Sequence, residues 1–230
     1  MGKLSLSVVV MAYNEEESLP VLLEHLGTYL EGHPLLSRWE VLVVDDGSVD
    51  GTASIVEEFA AREPRFKLLR HLENRGMGAA IRTGYGNASM DFVTQLPADG
   101  QVPPETLELF LEHLEDHDLV LSVYSVRGDG LWRRFLSSGY RVVARGILGQ
   151  RADYTGTMVF RRTLLHSVQL TTDSFVANLE FPLKAISRGA RTHIVEFKPS
   201  PRLAGASKVA NSRRIAFVLG ELLALRFRGI

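Results

Sequence analysis

Acids gather in this sequence at places where a chain folding for stability alone has no use for them. In EVLVVDDGSVDGT, Glu40 to Thr52, a run of valine and leucine ends in two adjacent carboxylates, Asp45 and Asp46. Gly47, Ser48 and a third acid, Asp50, follow. A core strand gains nothing from charge at its tip. A carboxylate there can instead accept hydrogen bonds from a ligand or hold a cation. Tyr13, Asn14 and Glu15 close another apolar run, LSVVVMA, and Asp99 with Gln101 follows a third, DFVTQL. Bases come later: Arg127, Arg133, Arg134, Arg202 and Lys208, suited to an ionised phosphate. Plainer readings stand beside these. Asn14 and Asp50 fit helix caps, Asp45 and Asp99 fit turns, and surface arginines are ordinarily solvated. Asp46 is different, because two adjacent acids exceed what a cap requires.

The spacing of apolar residues supplies elements to carry these groups. LSVVVMA is a strand ending at Tyr13-Asn14. Asn14 with Glu17 resembles a capping box, and Leu19, Leu22, Leu23, Leu26 and Leu30 follow helical spacing. WEVLVVDD is a second strand, and Asp50 is placed to cap the helix TASIVEEFAAR. FKLLRHL is a third strand, NRGMGAAIRTGYGNA opens a helix after a glycine-rich turn, and DFVTQL is a fourth strand. PPETLELFLEHLED predicts a helix beginning at prolines, and DLVLSVYS a fifth strand. Repeated strand–helix units with apolar strands predict a doubly wound, mainly parallel α/β sheet. Ligands bind such sheets beyond the carboxyl ends of the strands, where Tyr13-Asn14, Asp45-Asp46 and Asp99 all fall. Residues 131–149 carry Trp132, Leu136, Val143 and Ile147 on one helical side and Arg134, Arg141 and Arg145 nearly opposite.

Composition narrows the function. The chain has 230 residues, 45% of them hydrophobic, and a net charge of −1, enough for one large domain with at most an appendage. Without a basic excess, nucleic acid is not an expected partner. Without cysteine, disulfides and thiolate zinc sites are excluded. The N-terminal apolar run is too short for a secretory signal, and no stretch approaches the roughly 20 apolar residues of a membrane span. The expectation is a cytoplasmic protein that at most lies on the cytoplasmic face of a membrane. His113 and His117 are four apart, but no third metal ligand is in view. The glycines of RGMGAAIRTGYG follow the third strand rather than the first, which argues against NAD.

VVVMAYNEE, VLVVDDGSVDGT, NRGMGAAIRTG and PADGQVPPE, in this order and spacing, resemble the family 2 inverting glycosyltransferases of the GT-A fold. DYTGTMVFRRTLL and PRLAGASK resemble its dolichol-phosphate mannose synthase-like, or polyprenyl-phosphate glycosyltransferase, branch. The resemblance implies a GT-A catalytic domain over residues 1–212, with a nucleotide-sugar half (1–125) and an acceptor half (126–212). An amphipathic helix over 213–230, able to lie on a membrane, would follow. It implies transfer of a hexose, with inversion, from a GDP-mannose or UDP-glucose type donor to a polyprenyl phosphate. By resemblance, Tyr13, Asn14, Glu15, Asp45, Asp46, Arg75 and Gly76 bind donor, and Arg202, Ser207 and Lys208 join Arg127, Arg133 and Arg134 around the acceptor phosphate. Mg²⁺ or Mn²⁺ is expected on Asp99, with Gln101 supporting. The family's Asp-X-Asp reads Pro97-Ala98-Asp99 here, so its first acid is missing. Asp99 and Glu180 are the catalytic candidates. Glu180 falls where the family places an acid near the acceptor; its plainer reading is a solvated helix residue. A phosphate acceptor is already ionised, whereas a hydroxyl acceptor needs a general base. A transferase with a soluble hydroxyl acceptor and a non-catalytic nucleotide-sugar binder are the rival readings.

Overall fold

A computed structural model describes residues 3–124, 146, 154, 156–203 and 212–227. Arg127, Arg133, Arg134, Ser207, Lys208 and the stripes expected over 131–149 lie outside the described residues. The first half alternates strictly: β1 (Leu4–Ala12), α1 (Leu19–Gly32), β2 (Leu36–Asp45), α2 (Thr52–Arg62), β3 (Phe66–Arg70), α3 (Met77–Asn87) and β4 (Phe92–Pro97). A 3₁₀ turn, Pro104–Leu107, leads into the short α4 (Glu108–Leu111) and β5 (Leu119–Tyr124). β6 (Met158–Arg161), α5 (Ala177–Ser187), β7 (Thr192–Phe197) and α6 (Ser212–Phe227) complete the described elements.

Among the described residues, seven strands form one sheet in the order β3-β2-β1-β4-β6-β5-β7. β6 alone runs antiparallel to its neighbours, β4 and β5. β1 lies at the heart of the sheet, which is why its sequence is apolar on both sides. Leu6, Val8 and Val10 pack with Leu22, Leu23 and Leu26 of α1, while Val9 packs with Ile81 and Tyr85 of α3. Layers on both faces leave no polar face for alternation to mark.

Three expectations change. α1 begins at Leu19 with a proline in its first turn, not after Asn14. Asn14 instead turns the chain at φ 52°. The helix expected over PPETLELFLEHLED is a 3₁₀ turn and a short α-helix. Its buried residues, Leu107, Phe110, Leu111 and Leu114, recur at intervals that either helical pitch serves. The antiparallel β6 was not expected from the sequence. It is only four residues long and is held by side chains of its neighbours: Thr94 Oγ1 donates to Met158 O, and Ser122 Oγ to Thr157 O.

α6 packs Val218, Leu222 and Leu225 against Val176, Leu179 and Leu183 around α5. Phe217, Leu223 and Phe227 face outward. Among the described residues, no helix is long and apolar enough to cross a membrane.

Candidate active site

Strand register assembles one edge. Ala12 lies beside Asp45 and Met11 beside Pro97, so the segments after β1, β2 and β4 leave the sheet together. The first two interlock. Asn14 N–H donates to Ser48 Oγ (2.9 Å), Val49 N–H to Asn14 Oδ1 (2.9 Å), and Glu15 N–H to Thr52 Oγ1 (2.9 Å). Asp50 Oδ1 accepts the Thr52 N–H (3.0 Å) and hydroxyl (2.6 Å). Burial pushes the Asp50 carboxyl up, but these donors outweigh it and hold the group below its usual range. The α2 cap position itself is Gly51, so Asp50 secures the first helical N–H from one residue earlier than expected. Tyr13 and Glu15 are half-buried beside this loop.

The acid pair of the opening motif divides its work. Asp45 Oδ1 accepts the Ser48 N–H (2.9 Å). Its Oδ2 is buried without a hydrogen bond, and Arg70 Nε stands 3.4 Å away, within ion-pair reach. Asp46 turns to α3: Oδ1 takes the Arg75 N–H (2.9 Å) and lies 2.7 Å from His71 Nδ1, while Oδ2 takes the Gly76 N–H (2.9 Å). His71 Nε2 lies 2.9 Å from Thr83 Oγ1. In a neutral ring, Nδ1–H donated to the carboxylate leaves Nε2 to accept the threonine hydroxyl. His71 escaped the sequence reading; its one signal is its place immediately after β3. Gly76 has φ +90°, and a Cβ there would come within 2.6 Å of Asp173 O. Only glycine fits between the two loops. The Arg75 side chain is exposed.

Glu180 sits on the other side of the α3 N-terminus. It is fully buried and accepts from Thr171 N–H (2.9 and 3.0 Å), the Thr171 hydroxyl (2.7 Å), Thr172 N–H (2.9 Å), the Thr172 hydroxyl (2.7 Å) and Lys184 Nζ (2.6 Å). Burial pushes its carboxyl up, yet Lys184 and the two threonines prevail and hold it low. The loop it anchors then meets α3: Gly78 N–H donates to Asp173 O (2.8 Å), and Arg82 bonds Thr172 O and the Asp173 carboxylate. From α6, Glu221 accepts the N–H groups of Asp173 (2.6 Å) and Ser174 (3.2 Å). Glu180 is therefore not the solvated helix residue of the plainer reading.

Asp99 is held differently. Oδ1 accepts the Gln101 N–H (3.0 Å), and Oδ2 lies 3.2 Å from Arg202 Nη2. Leu203 N–H donates to Asp99 O and Ser200 N–H to Gln101 O, each at 3.0 Å, so the 200–203 segment lies along the turn. Asp99, with Gln101 in support, is the residue that would hold the expected Mg²⁺ or Mn²⁺; Mg²⁺ keeps several waters and needs few protein carboxylates. Position 97 is a proline, so Asp99 brings the one carboxylate of this turn. Among the described residues no three His, Asp or Glu side chains converge as ligands. Gln101 adds at most one neutral oxygen.

Residues 7–172 match the sequence profile of Glycosyl transferase family 2. The chain is 34% identical over 210 residues to the undecaprenyl-phosphate 4-deoxy-4-formamido-L-arabinose transferase of Pectobacterium carotovorum subsp. carotovorum (strain PC1). That match covers 89% of this chain and 62% of the relative, so the chain spans less than two thirds of the relative's length. The solved mannosyl-3-phosphoglycerate synthase from Rubrobacter xylanophilus is similar at a TM-score of 0.70 and 20% identity, over 98% of this chain and 74% of that one. Glucosyl-3-phosphoglycerate synthase from Mycobacterium tuberculosis, solved with Mn²⁺, UDP-glucose and phosphoglyceric acid, has a TM-score of 0.68 and 20% identity, over 95% and 80% of the two chains. These likenesses establish the GT-A fold. With the profile spanning well over half of its residues, the chain belongs to glycosyltransferase family 2.

Proposed function

We propose that this chain transfers a sugar from a nucleoside-diphosphate sugar to a polyprenyl phosphate, inverting the anomeric carbon. The observation that carries the reading is the state of Glu180. Five donor groups engage it and hold its carboxyl low, which suits an anchor and not a proton acceptor. A hydroxyl nucleophile would need such a base; a phosphate monoester would not. The similarity to an undecaprenyl-phosphate transferase supports the same acceptor class.

In this reading the lipid phosphate oxygen attacks the anomeric carbon on the face opposite the diphosphate. A carbon–oxygen bond to phosphate forms, the bond to the diphosphate breaks, and the nucleoside diphosphate leaves with the electron pair. The interlocked loops of Tyr13–Glu15 and Asp45–Asp46 border the base and ribose. The turn before α3, with Gly76 and the exposed guanidinium of Arg75, borders the diphosphate, which a guanidinium suits. Arg202, Ser207 and Lys208 are assigned to the acceptor phosphate by their place in PRLAGASK, and Arg127, Arg133 and Arg134 by their charge. The outward Phe217, Leu223 and Phe227 of α6, beside Arg226, suit contact with an anionic membrane surface.

A donor-by-acceptor screen tests this: radiolabelled GDP-mannose, UDP-glucose and related donors, with and without polyprenyl phosphate, partitioned into organic solvent. Label entering the organic phase only with the lipid supports the proposal. Label transferred only to water-soluble hydroxyl acceptors defeats it. Pelleting with anionic vesicles should weaken when Phe217, Leu223 and Phe227 become serine.

A further inference from the structure

We infer that Asn178 reads the sugar of the donor, its side-chain amide N–H₂ donating to a sugar oxygen. This rests on the nucleotide-sugar reading of the edge. The first argument is direction, which the fold fixes from inside. Gln95 of β4 is buried. Its Oε1 accepts the Tyr85 hydroxyl (2.7 Å), and its Nε2 donates to Gly156 O and to Asn178 Oδ1, each at 2.6 Å. A backbone carbonyl only accepts, so Gly156 O dictates which end of the Gln95 amide faces it. Gln95 then has a second N–H for Asn178, and Asn178 must answer with its oxygen. Burial pushes the Tyr85 hydroxyl up, so it stays protonated and donates at the inner end of the chain.

The second argument is what remains unmet. With Oδ1 committed inward, Asn178 Nδ2 points away from Gln95. Its partner among the described residues is the Met77 sulfur at 3.6 Å, a weak acceptor for a group with two N–H donors. A staple between α5 and the sheet is complete with Oδ1 alone. The seat is also tight: Gly156 has φ +94°, and a Cβ there would come within 2.8 Å of Asn178 Cγ and Nδ2. Glycine at 156 is what lets the amide sit in this orientation.

The third argument is position. β6 runs antiparallel to β4, with Thr94 beside Val159, so Gly156, ahead of β6, lies toward the carboxyl end of β4. Met77 is the first residue of α3, directly after the turn assigned to the diphosphate. Asn178 is half-buried between the two. A sugar nucleotide is linear: base, ribose, diphosphate, sugar. The loops assigned to base and ribose follow β1 and β2, and the sheet order β2-β1-β4-β6 puts Gly156 and Asn178 on the far side from them. A sugar leaving the diphosphate turn in that direction meets Asn178. The amide is neutral, which suits a hydroxyl-bearing ring better than a phosphate. Met77, 41% exposed, adds an apolar surface beside it for the C–H face of that ring.

Calorimetric titration of the whole chain in Mn²⁺ tests the inference, with UDP-glucose, UDP-N-acetylglucosamine and GDP-mannose against free UDP and GDP. Asn178→Leu keeps a neutral side chain of similar size without the donors. It should weaken the sugar nucleotide that binds best about fivefold or more, the scale of one net hydrogen bond, and leave its free diphosphate within about twofold. Asn178→Ser serves if the leucine variant fails to fold. An equal loss for sugar nucleotide and free diphosphate marks Asn178 as a staple and overturns the inference, but not the nucleotide-sugar reading. Unchanged binding of both overturns it as well, as does a wild-type chain that binds a diphosphate and none of the three sugar nucleotides. Absence of nucleotide binding in every titration overturns the nucleotide-sugar reading, and this inference with it.

Discussion

Asp46 and Glu180 are buried carboxylates, and so is Asp99, yet the two regions they occupy treat them differently. Around α3, Asp46 grips Arg75 and Gly76 from one side, and Glu180 fixes the 171–173 loop that closes on Gly76 and Gly78 from the other. Both carboxylates are saturated with rigid donors, several of them backbone N–H groups. At the β4 turn, Asp99 has one backbone N–H and one guanidinium, and that guanidinium retains an unused buried donor. Burial alone therefore says little about an acid's task. The inventory of donors around it separates an acid saturated by the fold from one that is not.

Breaking the clamps tests the first half of that comparison. Glu180→Ala should have the largest effect, because it leaves Lys184 without its partner and strips a loop of its acceptor. Losing one member of a buried pair costs roughly 3–5 kcal/mol, readable as a lower urea midpoint. The pH dependence has a definite sign. The folded carboxyl is held below the ordinary glutamate value of 4.5, so its stabilisation is present above that pH and is lost as pH falls through the folded value. Glu180→Gln should flatten the acid limb of the stability curve.

Asp46→Ala should cost less, about 1–3 kcal/mol for the orphaned N–H groups. It should weaken nucleotide binding strongly while circular dichroism stays unchanged, because α3 keeps its helix but loses its placement. Unaffected nucleotide titration would show that the Asp46 clamp has no bearing on the donor. Asp99→Ala sharpens the contrast. Its partly exposed pair with Arg202 is worth at most about 1 kcal/mol to the fold, yet turnover should drop by orders of magnitude. An Asp99 variant that unfolds as readily as the Glu180 variant would erase the distinction between the regions.

The smallest effect lies away from the edge. The His193 ring stacks on His113 at 3.9 Å between centroids, with His117 at 5.1 Å. Burial first, and then the neighbouring His113 and His117, lower its affinity for a proton below that of an ordinary histidine at 6.5. The unfolded chain therefore binds protons more readily below that pH, and stability declines as pH falls through it. Melting temperature should drop by no more than about 2 °C between pH 7 and pH 5.5, and His193→Gln should remove that slope.

Much of this was legible in the residues. Apolar runs separated by helical spacing marked β1 to β5 and the helices between them, because those patterns are local and reflect layers on both faces of the sheet. The same runs put Tyr13–Glu15, Asp45–Asp46 and Asp99 at strand ends, and parallel strands necessarily bring such ends to one edge. The missing acid at Pro97 was plain as well. The tertiary structure alone decided that β6 enters between β4 and β5 in the opposite direction, and that the inner face of α6 packs on α5. It also decided who answers each carboxylate: His71, Arg75 and Gly76 for Asp46, Thr171, Thr172 and Lys184 for Glu180, and Arg202 for Asp99. Periodicity is set by which side of an element is buried, and neighbouring residues report it. Apart from local partners such as Lys184 for Glu180, Gln101 for Asp99 and Ser48 for Asp45, a carboxylate's partners here depend on distance and direction between segments remote in the chain, which only the packed fold defines.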